Sequence, residues 1–226
     1  RSEVESYERH IVKSQIEDDW IDQFWKLAEN VSDEKMRALW GKILARQTLS
    51  THKYSPRTLL TVSVLGTDEA RELARIASFA ILYRSPFRRA PQGCIMRAFA
   101  KSSINSLKEI NENINLLIGE CNEESFGPMG IFIESGWAHE IHCEMEGNFA
   151  RLQCANAELQ VRRFSSDDIR TNSQNKQYVY LGSGIGVSNM GMEIISLVSA
   201  EINHDFLDMI LTGLKSMKLE WQLRYT

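Results

Sequence analysis

The chain has 226 residues, 43% of them hydrophobic and 25% charged, enough to bury one large core or two small ones. No stretch approaches the roughly 18 consecutive apolar residues that mark a bilayer-spanning helix, so no membrane span is expected within this chain. A net charge of −4 argues against wholesale wrapping of nucleic acid, while leaving room for a local basic patch.

Residues 1–17 alternate charge and apolarity and lack a signal-peptide core. The first residue is Arg1 rather than Met, which points to a fragment or a processed chain. Trp20, Ile21, Phe24, Leu27 and Ala28 then recur at helical spacing, with Asp18 or Asp19 as the cap. Ser32 is placed to cap a second helix, with Asp33 and Glu34 in its positive first turn. In that helix Met36, Leu39, Trp40, Ile43 and Leu44 form one apolar stripe. Ser55-Pro56 starts a third helix that buries Leu59, Leu60, Val62 and Leu65. Thr67 caps a fourth, whose stripe runs Ala70, Leu73, Ala74, Ala77, Ala80 and Ile81. Trp20, Trp25 and Trp40 read as core packing, and Asp18, Asp19 and Asp33 as caps rather than catalytic acids.

These residues carry a resemblance. Asp19-Trp20, Ser32-Asp33-Glu34-x-Met36, Leu39-Trp40-x-x-Ile43-Leu44-Ala45 and Ser55-x-Arg57-Thr58-Leu59 are similar to an uncharacterised bacterial family, a domain of unknown function. The Leu-Trp-x-x-Ile-Leu-Ala segment, with Asp68-x-Ala70, is also similar to the abortive-infection alpha group. That family usually has a Glu and a Pro-Gly step between the second and third helices, where this chain has Gln47 and Thr51-His52-Lys53-Tyr54. The resemblance implies a bacterial intracellular protein tied to phage defence, and no known active site. Within it Trp20, Ser32, Asp33, Leu39, Trp40 and Arg57 are structural positions.

A proline- and glycine-punctuated connector, residues 84–93, follows. Arg84, Arg88, Arg89, Arg97 and Lys101 lie between 84 and 101 with no acid among them. They form either a solvated loop and helix face or an anion contact beside which Phe87 stacks on a base. A helix from about Ser103 to Gly119 turns Ile104, Leu107, Ile114, Leu117 and Ile118 inward.

Residues 125–136 read as a short helix. Residues 137–145 alternate, with Trp137, His139, Ile141, Cys143 and Met145 on one face and Glu140, His142 and Glu144 on the other. Glu146-Gly147-Asn148 supplies a turn, and Phe149 to Cys154 returns as a hairpin partner. Leu159 to Phe164 is a third strand and Tyr178 to Leu181 a fourth, with a polar, mobile stretch from Ser165 to Gln177 between them. Ser188 caps a helix carrying Ile194, Ile195, Leu197 and Val198; Phe206, Leu207, Ile210, Leu211 and Leu214 mark the last helix. Leu219 to Tyr225 adds an edge strand. The step Val187-Ser188-x-x-Gly191-x-Glu193-Ile194 is similar to the closing half of bacterial winged-helix modules, although some fifty residues separate it from the preceding Glu134-Ser135-Gly136.

Two patterns suggest chemistry. His139, His142, Cys143 and Glu146 would share one face of a helix and hold zinc there; on a strand His139 and His142 point to opposite faces, and the alternation favours the strand. Gly182-Ser183-Gly184-Ile185-Gly186 sits between a strand and a helix like a phosphate-binding loop, but it has no P-loop lysine and no βαβ setting, so it reads as a flexible connector. Cysteines at 94, 121, 143 and 154 are spaced too irregularly for a zinc ribbon and read as free thiols of a reducing, cytoplasmic compartment.

The expectation is an α+β protein, with a helical domain over 1–120 followed by a domain over 121–226. The second domain holds a small antiparallel sheet with C-terminal helices, winged-helix-like in part. No catalytic constellation and no cofactor signature is present. The expected function is a non-enzymatic interaction or regulatory module of a bacterial cytoplasmic protein, with a protein partner or self-association, in phage defence. The alternatives are a nucleic-acid-binding winged-helix-like protein and a metal-dependent hydrolase.

Overall fold

A computed structural model describes residues 16–49, 54–100, 105–119, 126–133, 139–162, 164–198 and 201–225. They hold seven helices and eight strands, an α+β chain as expected. The chain divides into two compact units, 1–69 and 70–226.

In the first unit, α1 (Asp18–Ala28) packs on α3 (Pro56–Val64), with α2 (Glu34–Leu49) between them in sequence. Trp20 and Phe24 are buried and stack at 5.4 Å, and Phe24 meets the buried Trp40 edge-on at 5.3 Å. Trp25 departs from expectation: it is 58% exposed, because it lies one residue past Phe24 and so about 100° around the helix from the buried stripe. Leu60 is exposed for the same reason, one residue past the buried Leu59.

The caps also shift. Glu17 stands at the N-cap of α1, with Asp18 and Asp19 in the first turn, where the helix dipole favours acids. Asp33 rather than Ser32 caps α2, its Oδ1 accepting from Met36 N at 2.9 Å. Ser55 caps α3 as expected, accepting from Thr58 N at 3.2 Å. Leu39 is half-buried and Arg57 exposed. Gln47, where the chain departs from the uncharacterised family's pattern, is buried, and its Oε1 accepts from Tyr54 N at 2.8 Å. The Tyr54 carbonyl in turn accepts from Trp20 Nε1 at 2.9 Å. Residues 51–53 lie outside the described residues. Thr67 is the first residue of α4 (Thr67–Ala77) rather than its cap.

The stretch expected to complete an all-helical first half instead forms β1 (Ala80–Tyr83) and β2 (Gln92–Phe99). Ala80 and Ile81 continue the helical spacing of α4, and β2 is a nearly continuous apolar run without alternation. Both features hide a strand that is buried on its two faces. After α5 (Asn105–Ile118) come β3 (His139–Glu146), β4 (Phe149–Cys154), β5 (Ala157–Arg162), β6 (Ile169–Thr171) and β7 (Gln177–Val187). The chain continues with α6 (Asn189–Leu197), α7 (His204–Ser216) and β8 (Glu220–Tyr225). Residues 127–133, expected to be helical, form a turn and then an isolated bridge from Phe132 to Val187.

All strand pairings are antiparallel, in the order β1-β2-β7-β3-β4-β5-β8. Because β1 also pairs with β4 (Ile81 opposite Cys154), the strands β1, β2, β7, β3 and β4 close into a ring. β5 and β8 extend outward from β4, and β6 lies along the first part of β7.

The glycine segment 182–186, expected as a connector, is the second half of β7. A Cβ on Gly182 would overlap the Ala98 carbonyl, and one on Gly184 the Ile95 carbonyl, so these positions let β2 and β7 approach closely. β7 pairs Gly182 with Ile141 but Tyr180 with His142, leaving Leu181 as an extra residue in a bulge. That one-residue slip lets Val179 and Gly182 both face the interior while Tyr178 and Tyr180 face outward.

α5 and α7 pack together, and α5 covers β2. Phe99 N donates to Asn111 Oδ1 at 3.0 Å, and the Phe99 ring occupies the space left by Gly213. Ser188 caps α6 as expected, accepting from Gly191 N at 2.9 Å. This strand-to-helix step is the one that suggested a winged helix. Its strand is central to an eight-stranded sheet, and the likeness extends no further than that junction.

Candidate functional site

The side chains able to do chemistry in the second unit fall on the two faces of the ring. Inside are Tyr83, Cys94, Cys143 and Cys154, close enough to influence one another electrostatically. Burial raises all three thiols, Cys154 to about 12, so they are protonated and unreactive near neutral pH. Burial likewise raises Tyr83, whose hydroxyl is hydrogen-bonded to His139 Nε2 at 2.8 Å and approaches the Glu140 carbonyl at 3.4 Å. Burial lowers His139, and Arg88 nearby adds to the shift, so the ring is neutral at pH 7. Gly186 leaves the room this imidazole occupies.

The four residues considered for zinc are kept apart by the strand. His139 and Cys143 face inward, and His142 faces outward opposite Tyr180. Glu146 is four residues beyond His142, roughly 13 Å along an extended chain. It pairs with Arg151 at 2.9 Å, and Arg151 also binds Glu158 at 2.7 Å. Among the described residues no three His, Cys, Asp or Glu side chains gather to hold a metal.

The outer face of β3 and β7 is different. Phe87 packs edge-on against His142 at 5.6 Å and Tyr178 at 5.1 Å. His142 meets Tyr178 at 5.4 Å and Tyr180 at 5.3 Å. Four rings thus gather on one face, and Phe87 is 54% exposed above them.

The β1–β2 loop is fastened over this face by its backbone. Glu144 N donates to the Arg84 carbonyl at 2.8 Å, and Asn172 Nδ2 donates to the Pro86 carbonyl at 2.9 Å. Asn172 Oδ1 also accepts from Gln174 N and Lys176 N, both at 2.9 Å, which shapes the β6–β7 turn. The turn holds Lys176, whose Nζ reaches Glu144 at 3.0 Å.

Arg84, Arg88 and Arg89 flank Phe87 along the β1–β2 loop, all exposed, and Arg88 is near enough to His139 to depress it. Arg170, opposite Tyr178 on β6, is near enough to depress His142. Burial is the larger cause of that depression, and it outweighs the Glu140 carboxylate 3.5 Å from His142 Nε2. The imidazole is therefore a neutral, flat, half-buried ring at pH 7, and its contact with Glu140 is not an ion pair there.

Three of the five expected anion contacts, Arg84, Arg88 and Arg89, are neighbours of Phe87 in the β1–β2 loop. Arg97 is elsewhere, directed to the Gly119 carbonyl at the end of α5 at 3.5 Å, and Lys101 lies outside the described residues. Sequence reasoning missed Tyr178, Tyr180, Arg170 and Lys176 as members of the site. The Tyr-x-Tyr alternation in a strand and the outward placement of His142 were the available signals. The long-range packing of Phe87 on them was not readable.

Comparison with curated proteins finds no match, and neither does comparison with solved structures. The family described as "Protein of unknown function (DUF2806)" matches residues 2–211. With nearly the whole chain matched, this protein belongs to the DUF2806 family of unknown function.

Proposed function

We propose that this chain is a binding module rather than a catalyst, and that its ligand is a single-stranded nucleic acid taken on the outer face of β3 and β7. The observation that carries this reading is the cluster Phe87, His142, Tyr178 and Tyr180 beneath the arginine-bearing β1–β2 loop. Unpaired bases stack on aromatic rings regardless of their identity, while basic side chains at the rim take the phosphates. The raised thiols and the His139–Tyr83 pair inside the ring favour structural over nucleophilic roles for the remaining reactive groups.

Binding of a fluorescent oligonucleotide of about 12 nucleotides, followed by anisotropy in low salt, tests it. Phe87→Ala should weaken binding by about tenfold, from the roughly 1–3 kcal/mol a stacked base contributes. Arg88→Glu with Arg89→Glu should weaken it further and flatten the salt dependence by about 0.7 per lost phosphate contact. Absence of binding at low salt would remove the reading. We further place the module in the bacterial cytoplasm and in phage defence, on the motif resemblance in residues 19–70. Unchanged plaque counts on disrupting the gene in its host would argue against that role.

A further inference from the structure

Two segments of this chain carry the same pattern on one sheet face: Glu158-Leu159-Gln160-Val161-Arg162 in β5 and Glu220-Trp221-Gln222-Leu223-Arg224 in β8. The pattern is complementary to itself when strands run in opposite directions, because acid then meets base at each end and amide meets amide at the centre. β5 and β8 pair in that register, with Glu158 opposite Arg224, Gln160 opposite Gln222 and Arg162 opposite Glu220. The polar ladder is continuous across the face. Gln160 Nε2 donates to Glu158 at 2.9 Å, and one Arg162 nitrogen donates to Gln160 Oε1 at 3.1 Å and reaches Gln222 Oε1 at 3.4 Å.

β8 is the last strand in the sheet order and pairs on one side with β5. Its other edge offers the same pattern again. Sheet edges are usually guarded by lysines, prolines or charges of one sign, which repel a second strand. β8 contains neither lysine nor proline, and its two charges are opposite in sign and symmetric about Gln222. On the other face Trp221 and Leu223 are half-buried, and Tyr225 is exposed.

We propose that the partner of this edge is a second copy of the same chain, paired β8 to β8 in antiparallel fashion about a two-fold axis at Gln222. Glu220 then faces Arg224 of the second copy, Trp221 faces Leu223, and the two Gln222 amides face each other. The same residues meet from both sides, as a two-fold interface requires. Opposite charges and apolar pairs directly across a strand pair each favour it, and they repeat the ladder the molecule already forms between β5 and β8. A contact of two short strands lies at the small end of protein interfaces, so the dimer is reversible and forms with rising concentration.

Sedimentation equilibrium of the full chain tests this over a concentration series reaching about 200 µM. The wild type should move from the 25.9 kDa of one chain toward twice that mass. Gln222→Lys, which sets two ammonium groups against each other at the axis, should raise the dissociation constant at least about tenfold. Arg224→Glu and Glu220→Arg should each be monomeric alone and associate when mixed in equal amounts. A wild type that stays monomeric throughout overturns the proposal. So does a Q222K dimer as tight as wild type, which would place association on another surface. A mixture of R224E and E220R that stays monomeric, with each variant folded by far-UV circular dichroism, overturns the register.

Discussion

Trp20 and Trp40 share one aromatic cluster around Phe24 and differ in how their indole nitrogens are satisfied. Trp20 Nε1 donates to the Tyr54 carbonyl, whereas Trp40 Nε1 is buried with no partner among the described residues. A buried donor without an acceptor has lost its hydration for nothing in return. Trp20→Phe orphans a carbonyl, while Trp40→Phe removes an orphan. Trp40→Phe should therefore be the milder change by about 1–3 kcal/mol, read from urea unfolding of the two variants. The histidines make a second residue-scale prediction. Both His139 and His142 are held below 6.5, chiefly by burial, so the unfolded chain binds protons more readily than the folded one. Their contribution is complete above pH 6.5 and is lost as pH falls from there through the depressed values. Thermal melts should be flat above that window and decline within it; His139→Phe should shrink the decline. Proton-detected NMR should show both rings titrating below the ordinary imidazole value. The residue-scale reading of the sequence was strongest where a local rule operates, as at the Ser55 and Ser188 caps. It was weakest for Trp25, whose exposure depends on a 100° step around α1 that a list of apolar positions does not convey.

At the scale of elements, β7 is where sequence and structure diverged most. Glycines at alternate positions look like a loop, yet here they are required by a strand crossing close over β2. Gly184→Ala should cost at least the upper end of the roughly 1–3 kcal/mol typical of overpacking, because the obstacle is the Ile95 backbone and no rotamer change removes it. Gly41, in α2 with open space around its Cα, is the control. Alanine there should stabilise by about 0.5–1 kcal/mol, as helical glycine usually does, and denaturant midpoints of the two variants decide the comparison. The β3–β4 hairpin was legible because its alternation and turn residues are contiguous in sequence, whereas β5 was read as a strand starting two residues late, at Leu159, with no turn before it. β1 and β2 were not. Their identity as strands rests on partners far along the chain, Cys154 for Ile81 and Val187 for Gly93, and such pairings leave no periodic trace.

For the whole molecule, class was easier to read than topology. Helical stripes and alternating runs both announce themselves, so an α+β chain was foreseeable, whereas the ring closed by β1 and β4 depends on a pairing between residues some seventy apart. The proposed nucleic-acid surface has the same history: the arginines around Phe87 were visible as a charge run, and the tyrosines beneath became its neighbours only through folding. The joining of β1 to β4 has a mechanical consequence. A ribbon of strands can fray inward from a border, one ladder at a time, but a hoop has no border to start from. To open it, one of the five seams around its circumference must part along its length, and the thiols at its centre meet solvent only after that event.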